Sequence, residues 1–380
     1  MTPEVVAPPS DAARSMRTID RPDGLRLHVC EADAAEELLD ARWDDLVARQ
    51  PIPAPTSSAA WLRGLLELER GRPLVLALEQ RDRFVAAGAF GVRKIAGSRR
   101  PCLASWLGDE PFWYSPDLLV DPQQPELGAV LIDALLDQVD AVHLAADAGG
   151  TTLRALKARV PWLEISESAE GYVLPLPPPR GEYAEKRVAY NLRRAARLGC
   201  ELSLQTASEP SAVEAALERL FALHRERWRG RTDLLPKFVA TDTLTDWHRR
   251  AVLALAQGGG VLIVELFEDG ILVGSVLGLI HGRGALFHTM AVRPGGRLRG
   301  PGHVVLLELA RQAHASGASA LDLGWGAGEK NGPKARLGPE RVQVVRMLAA
   351  HDRRHQRMLE YALRLRSRVK RATQARIGDG

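Results

Sequence analysis

Cysteine is scarce: the 380 residues contain three, Cys30, Cys102 and Cys200, far apart and without a C-x-x-C pair. That excludes a disulfide framework and the usual zinc spacings, and it fits a reducing compartment. No run of about 18 apolar residues occurs, so no membrane-spanning helix is expected. The opening stretch, MTPEVVAPPSDAARSMRTIDRPDG, lacks the apolar centre of a signal peptide. A cytoplasmic protein without a metal is the expectation. Two nucleotide motifs are also missing. There is no Gly-Lys-Ser/Thr of a Walker A loop, and no G-x-G-x-x-G at the start of a βαβ unit. What remains is ordinary for a folded domain: 46% hydrophobic and 26% charged residues. The net charge of +4 is mildly basic and does not by itself imply nucleic acid.

The chain divides at prolines 175 and 177–179, the clearest linker. Residues 1–24, rich in Pro, Asp and Ala, read as a disordered leader. Residues 25–179 form a first module. LRLHVC alternates like a strand, residues 31–50 are helical, and Ser57 or Ser58 caps the helix AAWLRGLLELERG. PLVLALEQ and RFVAAGAFGVRK make a hairpin, with further strands at CLASWLG and WYSPDLLV. A helix at 127–139 leads to the strand AVHLAAD. Residues 180–350 form a second module: a basic helix, a strand, and two helices. VLIVELFEDGILVGSVLGLIHGRGALFHTMAV follows as three antiparallel strands. Then come a Gly- and Arg-rich loop, an amphipathic helix with Val304, Leu307 and Ala310 on one side, and the strands ALDLGWG and ERVQVVRMLAA. Residues 351–380 read as a basic C-terminal helix suited to packing on the module, to an anionic membrane or to nucleic acid.

The halves share a layout. LVLALEQRDRFVAAGAFGV overlays LIVELFEDGILVGSVLGLI, and each is followed by a helix-then-strand unit. Only the second half carries Arg297-x-x-Gly300-x-Gly302 ahead of its helix; the first has DPQQPELG there. A helix that opens after a glycine-rich turn offers free backbone N–H groups and the positive end of its dipole, which suits a pyrophosphate.

In its position after a strand and before a helix, Arg297-x-x-Gly300-x-Gly302 resembles the acetyl-CoA pyrophosphate loop of the GCN5-related N-acetyltransferase (GNAT) fold. EKRVAYNLRRAARLG resembles the basic helix of the CelD/BcsL-type acetyltransferases, also called the BioF2-like acetyltransferase domain, and LHRERW and KARLG fit the same family. That family's D-x-x-x-G-D-x-x-Y-K segment reads DLGWGAGEKNGPK here, without the second acid and with Pro333 in place of Tyr. Tandem modules of this kind are also similar to the Fem-type aminoacyltransferases of peptidoglycan synthesis.

The resemblance implies an α/β (α+β) chain of two tandem GNAT-like modules, each a mixed, largely antiparallel sheet flanked by helices, the first degenerate. It implies an N- or O-acetyltransferase that uses acetyl-CoA as donor, with a cell-envelope or polysaccharide precursor as the small-molecule or glycan acceptor in a groove between the modules. The donor is expected at Met290, Ala291, Val292, Arg297, Arg299, Gly300, Gly302 and His303. Candidate bases, in order, are His288, Glu265 and Asp322, each with a plainer alternative: a satisfied strand histidine, a solvent-facing strand acid, and an acid that bonds a turn. Lys186, Tyr190, Asn191, Arg193 and Arg194 on the basic helix, with Lys334, are candidate contacts for an anionic acceptor, against the alternative of a solvated basic face. Two other functions stand beside this one. A Fem-type enzyme would draw on aminoacyl-tRNA, the one case that calls for nucleic acid. A non-catalytic GNAT scaffold would bind CoA weakly or not at all.

Overall fold

A computed structural model describes residues 15–69, 71–94, 102–107, 117–178, 183–228, 241–295, 297–298, 300–326, 334, 337, 339–350, 353 and 357. In the first half, strands β1 (Ser15–Asp20) and β2 (Arg26–Glu31) lead through a 3-10 turn (Ala32–Leu38) to α1 (Ala41–Ala48). A second 3-10 turn (Pro55–Ser57) precedes α2 (Ala59–Leu68), and then come β3 (Arg72–Gln80), β4 (Arg83–Lys94), β5 (Cys102–Trp106) and β6 (Leu119–Val120). The half ends with α3 (Leu127–Leu136), β7 (Ala141–Asp147), α4 (Thr151–Arg159) and β8 (Trp162–Pro175). The second half runs α5 (Tyr183–Arg197), β9 (Leu202–Ala207), α6 (Pro210–Arg227), α7 (Asp242–Gln257), β10 (Val261–Glu268), β11 (Ile271–His281) and β12 (Gly284–Val292). It closes with α8 (Pro301–Ala315), β13 (Ala320–Gly326) and β14 (Glu340–Ala350).

Local chemistry accounts for several boundaries. The helix expected over residues 31–50 breaks at Asp40, whose carboxylate accepts from the Arg42 backbone N–H at 2.9 Å and restarts the chain as α1. Ser58 caps α2 by accepting from the N–H of Trp61. The β10–β11 turn needs positive φ at Asp269 and Gly270, which an Asp-Gly pair tolerates. Ser15–Asp20 lie within the stretch expected to be disordered. They pair instead along their whole length with β2. Met16 and Ile19 stay exposed, so β1 is held by its backbone ladder rather than by apolar burial. Composition carries no signal for that. Of residues 351–380, only Arg353 and Arg357 are described, and the expected basic helix lies outside the described residues.

All the strands among the described residues join one 14-stranded mixed sheet flanked by helices, in the order β1-β2-β3-β4-β5-β7-β14-β8-β13-β12-β11-β10-β9, with β6 beside β4. The halves repeat one pattern. β2 to β5 are antiparallel neighbours and β7 runs parallel to β5. Likewise β9 to β12 are antiparallel neighbours and β13 runs parallel to β12. At the centre the last strands cross over. β14 pairs with β7 and β8 pairs with β13, while β8 and β14 pair with each other from Trp162↔Ala350 to Val173↔Glu340.

Two cores lie on the two faces of the second half. One joins α8 and α5 through Val188, Ala195, Val304, Leu307 and Ala310. The other is continuous with the first half and contains Trp43, Trp61, Phe221 and Trp247. Trp61 meets Trp247 edge to face at 5.5 Å, and the Trp247 indole N–H donates to the Gly64 carbonyl at 2.5 Å. The α6–α7 layer of the second half thus shares its apolar interior with α2 of the first.

Candidate functional site

The parallel pair β12–β13 is short. It is in register only at Gly284↔Ala320, Ala285↔Leu321 and Leu286↔Asp322. Beyond Leu286, β12 continues to Val292 without pairing to β13, so the sheet forks at Asp322. A bulge sits just past the fork: Leu277 faces Thr289 and Gly278 faces Phe287, so the register steps over His288. The loop after β12 ends at Gly300, which has φ 75° and begins α8 with no side-chain cap. The first turn of α8 packs on the end of β12. A Cβ on Gly302 would lie 3.0 Å from Met290 Cε and 3.4 Å from Val292 Cγ1. Ala291 is buried, and its side chain belongs to the core on the opposite face.

The cations expected at this loop are placed differently. Arg297 is turned to the β10–β11 turn, where its guanidinium pairs with Glu268 at 2.9 Å and with Asp269. The reason is Glu268, which is buried and accepts from the backbone N–H groups of Arg297 and Leu298 at 3.2 and 3.1 Å. Burial pushes this carboxyl up, but the Leu298 donor and Arg297 outweigh that and hold it below its ordinary value. Cys200, Glu268 and Asp269 form the one trio of metal-type ligands among the described residues, and Arg297 already supplies their positive charge. Arg293 is paired with Glu226 at 2.5 Å. Arg299 lies outside the described residues. His303 is half-buried, with Nδ1 facing Gly300.

The three candidate bases separate. His288 is buried on the α6–α7 face, with its Nε2 2.6 Å from His248 Nε2 and its ring 5.3 Å from that of Trp61. Burial, reinforced by the nearby His224, lowers its pKa to about 3. It is a packed strand histidine. Glu265 is buried too, and not solvent-facing as strand alternation allowed. Arg219 forks onto it at 2.9 and 2.5 Å. Asp322 is the acid at the fork. Leu321 and Leu323 on either side belong to the α8 core, so Asp322 points to the other face. Its Oδ1 accepts from the Gly324 N–H at 2.6 Å.

On that face Asp322 lines a cavity of about 330 Å³ between the two halves. Leu286, Val173 and Val342 form its floor, and residues 50–57 and 117–119 cover it together with Asp147, Thr151 and Arg154. Among the described lining residues, three aspartates, Asp117, Asp147 and Asp322, accompany one arginine. Arg154 donates to the Gly149 carbonyl and to Thr151 rather than to an acid. Asp117 caps α4 by accepting from the N–H groups of Thr151 and Thr152 at 2.8 and 2.7 Å, yet burial keeps its pKa raised. Thr56, also in the lining, is wholly buried, and among the described residues its Oγ1 has no hydrogen-bond partner. The first-half residues of this cavity went unread in the sequence because that half lacks the loop motif. The Asp147-Ala-Gly-Gly strand end was the available signal.

The basic helix does not reach the cavity. Lys186, Tyr190, Arg193 and Arg197 do share one exposed face of α5, but α5 packs on the α8 side of the sheet. Arg194 is half-buried, and Asn191 points inward to α8. Lys334 is half-buried 5.3 Å over the Phe287 ring; burial lowers its pKa while Asp322 raises it.

The acetyltransferase (GNAT) domain family matches residues 184–330. That stretch of the second half is similar to a GNAT-fold acetyltransferase domain. No curated protein matches the sequence. Among solved structures, FemX superposes with a TM-score of 0.56 at 11% identity, over 80% of this chain and 94% of that one. The C-terminal (DUF2156) domain of a protein assigned as lysylphosphatidylglycerol synthetase from Agrobacterium fabrum superposes at 0.54 and 14% identity, over 87% of this chain and 95% of the other. At such identities the likeness is one of fold. It covers both halves, and the GNAT match begins only at residue 184.

Proposed function

We propose that the protein is an acyl-CoA-dependent acyltransferase whose donor lies at the start of α8 and whose acceptor is a primary amine in the cavity between the halves. One observation carries this reading: the β12–β13 fork separates an uncapped, glycine-rich helix N-terminus on one face from an acidic cavity on the other, with Asp322 at the opening. Acetyl-CoA is the donor, its pyrophosphate at Gly300–Gly302 and its thioester beside Met290–Val292. The neutral amine nitrogen attacks the thioester carbonyl carbon, the C–S bond breaks, and CoA leaves as the thiolate, which takes its proton from solvent. Asp322 takes the amine's proton, and a backbone N–H of β12 supports the developing oxyanion. Three aspartates against one arginine favour a cationic acceptor over a phosphorylated one. The apolar floor suits a body larger than the amine itself. An amino group on a cell-envelope or polysaccharide precursor, of the kind the CelD/BcsL resemblance implies, meets both needs in a cytoplasmic enzyme.

The test is a screen of amino sugars and amino acids for acetyl-CoA-dependent thiol release, repeated with Asp322→Asn. The variant keeps the acceptor oxygen for Gly324 and is expected to lose about a hundredfold in turnover, with donor affinity unchanged. Full activity in Asp322→Asn would remove the base. A second reading, aminoacyl transfer from aminoacyl-tRNA as in Fem-type enzymes, draws support from the exposed cations Lys186, Arg193 and Arg197 on α5. Release of an acylated product only when charged tRNA is supplied would favour it.

A further inference from the structure

Among the described side chains of the basic helix, Asn191 is the one buried polar residue. It lies on the side of α5 that also carries Val188 and Ala195, and it is completely buried. Among the described residues neither its Oδ1 nor its Nδ2 has a hydrogen-bond partner. An amide in that state is costly, since both a donor and an acceptor have left water without replacement. An apolar residue of the same size would fit a helix–helix contact better.

The amide is not aimed at random. A Cβ built on Gly300 would lie 3.4 Å from Asn191 Nδ2, so the amide sits directly over the residue that begins α8. Among the described residues no side chain caps α8, and its second residue is another glycine, Gly302. Two unsatisfied polar systems therefore lie side by side: the first turn of a 15-residue helix and a buried amide. An anion at the turn satisfies the first. An amide donor beside it is the natural second wall for the same anion, or for the loop that closes on it.

We propose that Asn191 is a positioning residue of the donor site, kept unsatisfied in the free protein so that it engages the Gly300–Gly302 turn when a pyrophosphate binds there. The proposal rests on the donor reading given above. It also moves Asn191 from the acceptor side, where the sequence pattern put it, to the donor side. α5 thereby connects its exposed basic face with the donor turn through one inward residue.

The role separates cleanly from a structural one because the two predict opposite signs. In Asn191→Leu the buried amide is replaced by an apolar group of similar size. The free protein is then expected to melt about 1–3 °C higher, while CoA binds about tenfold more weakly. Asn191→Asp adds a negative charge beside the turn and is expected to weaken CoA further. Calorimetric titration of CoA and of inorganic pyrophosphate, with thermal melts of the free proteins, reads both quantities. A lower melting temperature in Asn191→Leu with unchanged CoA affinity overturns the proposal and makes Asn191 structural. Wild-type protein that binds pyrophosphate in an Asn191-dependent way but not CoA would sink the donor reading and keep the anion site. Wild-type protein that binds neither overturns both.

Discussion

His224, His248 and His288 are buried around the second half's β12, and all three are held neutral. Burial, with Arg227 nearby, lowers His224 to about 4, and burial with the neighbouring histidines presses His248 well below its ordinary value. His288 falls to about 3. The sign follows from linkage. Below the unfolded value of about 6.5, the unfolded chain takes protons that these folded residues refuse, so stability falls with pH and levels off near the folded values. His224 alone can account for up to about 3 kcal/mol. The urea midpoint is expected to drop between pH 7 and pH 5, before most carboxylates titrate, and to drop less in His224→Gln. A flat profile would mean that the cluster takes up protons while folded. The same residues show what a linear reading misses. His288 outranked Asp322 as a base because both lie on strands of the expected site. Which face each side chain takes depends on a one-residue bulge and on where β12 and β13 part, and neither is written locally in the sequence. Arg297 is a similar case. Its motif position was legible, but its partner Glu268 comes from a turn about 30 residues earlier.

At the scale of elements, more was readable. Nearly every helix and strand of the second half follows from hydrophobic periodicity and turn residues, including the hairpins, the helix after the loop and the late strand β14. The first half was less legible. β8 is a 14-residue strand that ends at Pro175, the first proline of the expected linker. Its charged and small residues, WLEISESAEGYVLP, give no clear alternation, because its neighbours come from the far end of the chain. Close approach between halves also leaves a mark in glycine. A Cβ on Gly284, at the start of β12, would overlap the Pro53 carbonyl oxygen of the segment that covers the cavity. Gly284→Ala is expected to push residues 50–57 away and lower the melting temperature by several degrees. It should also weaken the acceptor more than the donor, seen as a rise in acceptor KM with donor KM unchanged. A variant with wild-type melting and kinetics would show that this contact is slack.

For the whole molecule, the internal repeat was visible as two similar layouts, but the exchange of last strands was not. Pairing β14 with β7 and β8 with β13 turns two modules into one sheet, and the shared tryptophan core fastens their helical layers. This arrangement creates the acidic cavity at the seam, where the first half supplies a cover and the second supplies the fork. Under the proposed function, the half without a phosphate loop shapes the acceptor side of the site and the other half holds the donor. Among the described residues no helix is long and apolar enough to cross a membrane.

The donor claim is the one on which the rest depends, and calorimetric titration of acetyl-CoA tests it most directly, with wild-type protein beside Gly302→Val. In the variant, branched carbons would press on Met290 and close the turn at the start of α8. Micromolar binding by the wild type, lost in a variant that remains folded, is the predicted result. A folded wild type that takes up no acetyl-CoA at millimolar concentration, or a variant that binds as well as the wild type, would contradict it.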